Sequence, residues 1–171
     1  NEESVRHWTS RNFPLLGSLR VDGVSYRFMG ADKVEVTPVI GTAASGLWEA
    51  TYTFELPEGE WTAVDYETKG WKTGKAAFGT DDNPYRSTPW QDGDIWVRRS
   101  FDWPEGTDKE DLFLLYSHDD NIELYINGKQ VAVTGNGLDY DLLKEIPQEV
   151  ANTLKPTGNI LAAHCRNNGG G

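Results

Sequence analysis

The 171-residue chain has a single cysteine, Cys165, so it cannot form an internal disulfide or a metal site built from several thiolates. It also has few basic residues, since 16 lysines and arginines stand against 27 aspartates and glutamates. Binding to nucleic-acid phosphates depends on lysine and arginine, so a net charge of −11 argues against nucleic acid as a partner. No run approaches the roughly 20 apolar residues that span a bilayer, so we expect no membrane span.

Signatures of catalysis and nucleotide binding are also missing. The sequence contains no G-x-S-x-G, H-E-x-x-H, G-x-G-x-x-G or Walker motif. His164 and Cys165 are neighbours on a predicted strand and therefore face opposite sides. Residues 1–15 lack a signal-peptide pattern, and the chain begins without Met and ends in Asn-Asn-Gly-Gly-Gly. We expect a piece of a longer protein, with no enzymatic activity of its own.

What the sequence does contain is alternation of apolar and polar residues, which is typical of strands that face a core on one side. Residues 47–56 alternate, and the residues on the predicted inner face are Trp48, Ala50, Tyr52, Phe54 and Leu56. Residues 95–103 repeat the pattern, with an inner face of Ile95, Val97, Phe101 and Trp103 and an outer face of Arg98, Ser100 and Asp102. Arg99 interrupts this inner face, and an inward arginine needs a partner.

Further strands are predicted along the rest of the chain. The apolar run 112–116 predicts a central strand buried on both faces, and residues 160–165 predict a last strand. Asn127-Gly128 stands between two apolar-patterned runs and predicts a type I′ hairpin, and Asp22-Gly23 predicts an earlier one.

Little helix is expected. Residues 140–154 have a helical pattern that Pro147 interrupts, which favours one or two short turns. Segments 57–94 and 102–111 are predicted as long loops. Short strands at this spacing, with so little helix, predict an all-β sandwich.

Four motifs carry a resemblance to a known fold family. They are residues 71–79 (WKTGKAAFG), 94–101 (DIWVRRSF), 123–129 (ELYINGK) and 158–162 (GNILA). In this order they resemble the galactose-binding-domain-like β-sandwich, a jelly roll found beside many glycoside hydrolase catalytic domains. The resemblance implies a galactose-binding-like jelly roll over residues 48–168, followed by a linker remnant at 169–171.

The first part of the chain carries a second resemblance. Residues 7–9 (HWT), 17–23 (GSLRVDG) and 26–30 (YRFMG) resemble the N-terminal region of large secreted bacterial proteins of the glutaminase A-like group. This implies that residues 1–47 form an N-terminal hairpin segment of a larger exported hydrolase, periplasmic or extracellular. A helical-barrel domain further on is thought to carry the activity of that group. The partner implied is therefore the downstream catalytic domain of the same parent chain.

A loop rich in Pro, Asp and Gly holds the candidate binding site. Sugar rings are bound by an exposed aromatic ring beside charged hydrogen-bonding groups. The loop and the start of the next strand offer that composition, so the predicted ligand-binding residues are Tyr85, Arg86, Trp90, Asp92 and Asp94. The same loop could instead pack against the downstream domain, or Trp90 could close one end of the core. Trp61, Trp71 and Trp96 stand in motifs that belong to the framework.

The sequence His118-Asp119-Asp120 offers two interpretations. The carboxylates could act as an acid/base pair or as metal ligands with His118. Alternatively, they cap a turn through backbone hydrogen bonds, and one pairs with Arg98 or Arg99. We expect no cofactor, although a structural calcium ion would find oxygen ligands. The candidates are Asp81, Asp82, Asn83, Asp92, Asp94, Asp119 and Asp120.

The sequence leaves three hypotheses for function. The first is a non-catalytic accessory module of a larger exported hydrolase, which supports or docks the catalytic domain and contacts carbohydrate through the 81–94 loop. The second is a free-standing carbohydrate-binding module. The third is a hydrolytic domain that uses Asp119 or Asp120.

Overall fold

The computed structural model describes residues 38–43, 48–80, 86–91 and 93–169 in full, together with the backbone of three strands between residues 16 and 36. The chain divides into two compact units, Asn1–Gly46 and Leu47–Gly171. In the described part of the first unit, β1 (Leu16–Val21), β2 (Val24–Met29) and β3 (Asp32–Val36) form an antiparallel sheet.

The predicted N-terminal hairpin is present in this sheet. Val21 of β1 lies opposite Val24 of β2, so the two strands pair up to their connection. The turn residues Asp22 and Gly23 lie outside the described residues. Strand β3 was not predicted, and it extends the hairpin to three strands through its pairing with β2.

The second unit contains most of the strands and one short helix among the described residues. Its strands in chain order are β4 (Glu49–Thr53), β5 (Lys72–Lys75), β6 (Phe78–Gly79), β7 (Thr88–Pro89), β8 (Gly93–Phe101), β9 (Phe113–His118), β10 (Asn121–Ile126), β11 (Lys129–Val133), β12 (Asp139–Glu145) and β13 (Asn159–Asn167). The helix, α1 (Gln148–Ala151), makes a single turn. The fold is all-β, as predicted.

A six-stranded antiparallel sheet organises this unit, in the order β11-β10-β13-β8-β4-β5. Strands β9 and β12 form a separate antiparallel pair, and β6 and β7 form a short parallel one. Because side chains alternate across a strand, the large sheet has two faces. One face carries Ala50, Tyr52, Ile95 and Val97, and we call it the inner face.

The inner face forms the main core. Its buried residues come from β4, β8, β10, β11 and β13, and Leu114 and Tyr116 of β9 pack against them. The two layers thus enclose apolar side chains between the large sheet and the β9–β12 pair. A second cluster lies around α1, where Val150 and Leu154 pack with Ile126 and Val131.

The Asn127-Gly128 turn is confirmed by the backbone. Both residues adopt positive φ, 49° and 81°, as a type I′ hairpin requires. Ile122, Leu124 and Ile126 before the turn are buried, and so is Val131 after it. Val133 is exposed, because the pairing of β10 and β11 shifts register between Leu124 and Tyr125.

The first predicted strand is shorter than expected. Ala50 and Tyr52 are buried as predicted, but β4 ends at Thr53. Phe54 and Leu56 therefore do not continue the inner face, and their side chains are exposed.

Arg98 lies on the outer face of β8, as predicted, but this face is covered at Arg98. Arg98 is buried at 4% exposure because its guanidinium donates to the carbonyl of Trp61 and lies over the ring of Tyr66. The segment 61–66 thus covers part of the outer face of the large sheet. Arg99 has the partner that an inward arginine needs, since its guanidinium lies 4.5 Å from the ring centroid of Trp48.

The prediction of a central strand over residues 112–116 is wrong, because in the described structure β9 pairs only with β12 and residues 113–116 are only partly buried. The short helical turn predicted within residues 140–154 is confirmed as α1, which directly follows Pro147. Residues 139–145, which precede it, form β12 beside β9. No helix in the described parts of the chain is long and apolar enough to cross a membrane.

Candidate functional site

Of the five predicted ligand-binding residues, the structure describes Arg86, Trp90 and Asp94, and Trp90 and Asp94 do not lie together. Tyr85 and Asp92 lie outside the described residues. Trp90 is buried in the main core, where its backbone N–H donates to the carbonyl of Gly79. Its indole Nε1 is buried and has no hydrogen-bond partner among the described residues. Trp90 therefore occupies the core position that the sequence left as an alternative, and ligand binding by these residues stays a prediction.

Asp94 belongs instead to a polar cluster on the outer face of the large sheet. Its carboxylate accepts a hydrogen bond from Nε2 of His164, at 2.8 Å. The imidazole of His164 stacks on the indole of Trp96, with centroids 4.7 Å apart and planes 4° apart. His164 lies directly opposite Trp96 in the β13–β8 register, and this pairing brings the rings together.

The cluster continues onto β10. Glu123 lies opposite His164 in the β10–β13 register. The hydroxyl of Tyr125 donates to the Glu123 carboxylate at 2.7 Å and accepts from the side-chain amide of Gln130 at 3.2 Å. Burial and the Glu123 carboxylate both raise the pKa of Tyr125. The phenol therefore remains protonated and can go on donating.

An aromatic pair borders this cluster. The indole of Trp61 meets the ring of Tyr125 edge to face, with centroids 5.6 Å apart. Both side chains are partly exposed, unlike Trp96, which is buried beneath His164. We call the set Asp94, His164, Glu123, Tyr125 and Trp61 the outer-face cluster. It combines ring surfaces with preorganised donors and acceptors, a combination that suits a neutral polyhydroxyl ligand.

Sequence reasoning found only one residue of the outer-face cluster as a ligand contact. Asp94 and Trp96 are two residues apart on β8 and therefore lie on the same face. His164 is 70 positions from Asp94 in the sequence, and Glu123 is 29 positions from it. Their strands become neighbours only in the folded sheet, so the sequence pattern did not show that these residues meet. A signal was present in the last strand, where His164 is a polar residue between apolar neighbours.

The two aspartates after β9 hydrogen-bond to the last strand and the residue after it. The carboxylate of Asp120 accepts a hydrogen bond from the backbone N–H of Asn168 at 2.7 Å. The backbone N–H of Asp120 donates to the carbonyl of Arg166. The carbonyl of Asp119 accepts from the thiol of Cys165. Arg98, one of the proposed partners for this pair, contacts Trp61 and Tyr66 instead.

The electrostatics of Asp119 follow from the same arrangement. Burial and the neighbouring Asp120 raise the pKa of Asp119, and His118 opposes that shift. Within the described ranges, no group of three or more histidine, cysteine, aspartate and glutamate side chains is arranged to hold a metal ion. Asp81, Asp82, Asn83 and Asp92, four of the seven calcium candidates, lie outside those ranges.

Comparison with known proteins gives a family match over a short segment and several fold matches. Residues 1–41 match a family described as a domain of unknown function, DUF4964. No curated protein gives a significant match. The matched segment lies in the first compact unit, so the family match does not extend to the large sheet.

Solved structures match the sandwich at low identity. A β-glycosidase from Bacteroides vulgatus is 18% identical with a TM-score of 0.51, over 68% of this chain and 16% of that one. A β-glucuronidase from an uncultured Clostridium species is 16% identical with the same TM-score, over 70% and 21%. One from Faecalibacterium prausnitzii is 14% identical, again with a TM-score of 0.51, over 70% and 20%. These likenesses show that the chain shares its β fold with a small part of much longer glycosidase chains.

Proposed function

We propose that this chain is a non-catalytic accessory module of a larger exported hydrolase and that it docks on the catalytic domain of its parent protein. The observation that supports this most is the fold match, which covers about two thirds of this chain but at most 21% of the glycosidases. In those proteins the shared fold is a minor part of a much larger enzyme. A module of this kind stabilises or orients its neighbour rather than performing the chemistry.

The resemblance to the glutaminase A-like group supplies the finer form of the proposal. Motifs in residues 1–47 carry that resemblance, and the galactose-binding-like motifs follow from residue 71 onward. The parent would then be exported to the periplasm or beyond the cell. Its catalytic domain would lie downstream of this chain.

Exposed apolar side chains support docking. Leu56, Tyr140 and Val133 are 78%, 65% and 63% exposed, and Phe54 and Leu138 are also exposed. Leu56 and Phe54 follow β4, whereas Leu138 and Tyr140 flank the start of β12. These apolar side chains are available to pack against another domain.

Docking is tested by producing this chain and the remainder of its parent as two polypeptides and measuring their association by calorimetry. We expect saturable binding that Leu56→Asp or Tyr140→Asp weakens at least tenfold, a loss typical of an apolar anchor residue. Glu58→Lys, a charge change at an exposed residue near Leu56, is the matched control. Absence of association between the two polypeptides would contradict the docking proposal.

The absence of catalysis is tested on this chain alone. We expect no hydrolysis of glutamine or of chromogenic β-glucuronides and β-glucosides above the rate in buffer. Turnover that Asp119→Asn or Asp120→Asn abolishes, without loss of the fold, would favour the hydrolytic alternative.

Carbohydrate binding is a second candidate function, favoured by the outer-face cluster. A partly exposed aromatic pair stands beside two carboxylates whose hydrogen bonds are already arranged. A calorimetric screen of mono- and oligosaccharides tests it, with His164→Ala and Glu123→Gln as site variants. Trp90→Phe serves as the control for damage to the core, because Trp90 is buried away from this face. Binding that survives both site variants would move the site elsewhere.

A further inference from the structure

Three Asn-Gly dipeptides occur in the chain, and the structure places them in different environments. They are Asn127-Gly128, Asn136-Gly137 and Asn168-Gly169. An asparagine followed by glycine can lose its side-chain amide without an enzyme, because the backbone nitrogen of the glycine attacks the side-chain carbonyl carbon. Glycine has no Cβ to hinder that approach. The three sites differ in how firmly the fold holds the two groups that must meet.

The first dipeptide is held by hydrogen bonds at both polar atoms of its side-chain amide. Nδ2 of Asn127 donates to the carbonyl of Thr153 at 3.0 Å and to the side-chain oxygen of Asn159 at 2.9 Å. Oδ1 of Asn127 accepts from the N–H of Ile160 at 2.9 Å. The positive φ angles of the type I′ turn fix the backbone as well. Attack on this amide therefore requires the β10–β11 turn to separate from the start of β13.

The last dipeptide is held at the nitrogen that would attack. The N–H of Gly169 donates to the side-chain oxygen of Asn167 at 2.7 Å, and Asn167 is buried. The backbone N–H of Asn168 donates to the Asp120 carboxylate, also at 2.7 Å. Ring closure at Asn168 therefore requires the residues that follow the last strand to be released from these contacts.

The middle dipeptide lies in the connection between β11 and β12, residues 134–138. Asn136 is exposed to solvent. Within the described residues, neither its side-chain amide nor the N–H of Gly137 makes a hydrogen bond. The two groups can therefore meet without leaving a partner, and water has free access to the product.

We propose that Asn136 is a site of spontaneous deamidation and that the folded chain reacts there in preference to its other two Asn-Gly dipeptides. The nitrogen of Gly137 gives its proton to solvent base and forms a bond to Cγ of Asn136. The Cγ–Nδ2 bond breaks, and Nδ2 takes up one proton and leaves as ammonia. The product is a five-membered cyclic imide. One water molecule opens this ring at either carbonyl, which gives aspartate or isoaspartate.

The selectivity follows from local opening of the fold. At Asn127 the reactive conformation is reached only after several hydrogen bonds have broken, so the rate falls in proportion to the small population of the open turn. At Asn136 no such opening is needed, and the folded chain should react there at close to the rate of an unfolded one. In the unfolded chain all three sites have the same two residue types, so the preference should disappear.

Deamidation changes charge and backbone length at one part of the surface. It adds a carboxylate close to Leu138 and Tyr140, which are both exposed. Isoaspartate also inserts a methylene into the backbone of the short 134–138 connection, directly before β12 begins. A new charge there should weaken docking through these apolar side chains. That consequence rests on the docking proposal above, whereas the reaction itself does not.

Peptide mapping by mass spectrometry tests the proposal on this chain alone, so its result does not depend on docking. The chain is incubated near neutral pH, folded or in urea, and sampled over several weeks. Cleavage by trypsin after Lys129 and Lys144 isolates Asn136 as the one asparagine of its peptide. Deamidation appears as the mass gained when –NH₂ is replaced by –OH. A sample digested at time zero corrects for reaction during the digestion.

We expect Asn136 to deamidate at least about tenfold faster than Asn127 in the folded chain, and the two rates to come within about threefold of each other in urea. Asn168 should also react more slowly than Asn136 while the chain is folded. If Asn127 or Asn168 reacts as fast as Asn136 in the folded chain, the selectivity is refuted. A rate at Asn136 that is tenfold or more lower in the folded chain than in urea would show that the fold protects this site.

Asn136→Gln is the matched variant. It keeps a side-chain amide, but attack by the Gly137 nitrogen must then close a six-membered ring, which is much slower. The mass gain of this peptide should disappear, and the rates at Asn127 and Asn168 should stay the same. Gly137 itself is left unchanged, because its φ of 153° favours glycine. A mass gain that persists in this peptide of Asn136→Gln would assign the reaction to another group.

Discussion

The side-chain amide of Asn127 donates a hydrogen bond to the side-chain oxygen of Asn159, at 2.9 Å. This pair joins the β10–β11 turn to the start of the last strand. The side-chain oxygen of Asn127 also accepts from the N–H of Ile160, and Asn159 both donates to and accepts from the backbone of Lys155. Asn159 is fully buried, so its hydrogen bonds are all made within the protein.

We predict that Asn159→Ala destabilises the fold by about 3 kcal/mol, since it removes the partner of the Asn127 side-chain amide and of the Lys155 backbone N–H and carbonyl, and opens a small cavity. Urea denaturation followed by tryptophan fluorescence measures this change. Asn136→Ala, in an exposed loop, is the control and should change the free energy of unfolding by less than about 0.5 kcal/mol. Equal effects of the two variants would show that the Asn127–Asn159 pair is not structurally important.

A second effect on stability is expected at Gly74 of β5, because this residue lies close to Tyr52 of β4 and Thr88 of β7. A Cβ built at Gly74 would meet the Thr88 hydroxyl oxygen at 2.8 Å and Cε1 of Tyr52 at 2.9 Å. Thr88 is buried, and its hydroxyl donates to the Lys75 carbonyl, so it cannot easily move away. Gly74→Ala should cost about 1–3 kcal/mol through overpacking. Gly135→Ala, where a Cβ meets nothing within 4 Å, should be near neutral in the same melts.

Cys165 should be chemically inert in the folded protein. It is buried, and burial raises the pKa of its thiol to about 12. Near pH 8 the thiolate fraction is then about a thousandfold lower than that of an exposed cysteine. Ellman's reagent should not titrate Cys165 until urea unfolds the chain. Rapid reaction of the native protein would contradict both the burial and the raised pKa.

The same thiol makes a pH prediction with a definite sign. The folded state holds the Cys165 proton up to about pH 12, whereas an unfolded chain releases it from about pH 9. The contribution of the neutral thiol to stability is therefore present below about pH 9 and is lost as the pH rises toward 12. Cys165→Ala should flatten this alkaline part of the curve of Tm against pH. A curve unchanged by the substitution would show that other groups dominate.

Arg98 should matter more to stability than Arg166, an exposed arginine on the adjacent strand β13. Its guanidinium donates to the Trp61 carbonyl and lies 5.3 Å from the Tyr66 ring centroid. Arg98→Leu should cost about 2 kcal/mol and increase proteolysis within the segment 61–66, because the hydrogen bond that holds this segment on the sheet is lost. Arg166→Leu, at an exposed position on β13, is the control. Unchanged cleavage in Arg98→Leu would mean that the aromatic contacts hold the segment alone.

Local sequence pattern was enough to predict the all-β class, several of the strands and two hairpins. Period-two alternation over residues 49–53 and 95–101 appears as β4 and β8, and Asn127-Gly128 turns where its backbone preferences require. The pattern failed at Phe54 and Leu56, because alternation does not show where pairing with a neighbouring strand ends. It failed also at β12, whose residues resemble a helix locally and become a strand only beside β9.

The candidate site shows the same division. Asp94 and Trp96 could be placed on one face of a strand from their spacing alone. The composition of the 81–94 loop indicated Trp90 as an aromatic residue that could contact a ligand. Neither observation could show that Trp90 enters the core or that Asp94 meets His164. Those outcomes depend on which strands become neighbours.

The sequence by itself thus determined the all-β class, the turns and the acidic, cysteine-poor character of the chain, because these follow from local backbone preference and composition. Only the tertiary structure decided which side chains meet. The outer-face cluster and the Asn127–Asn159 bond both join residues far apart in sequence. Their contacts depend on strand order and register, and those are chosen by burying apolar surface across the whole sheet rather than by any single segment.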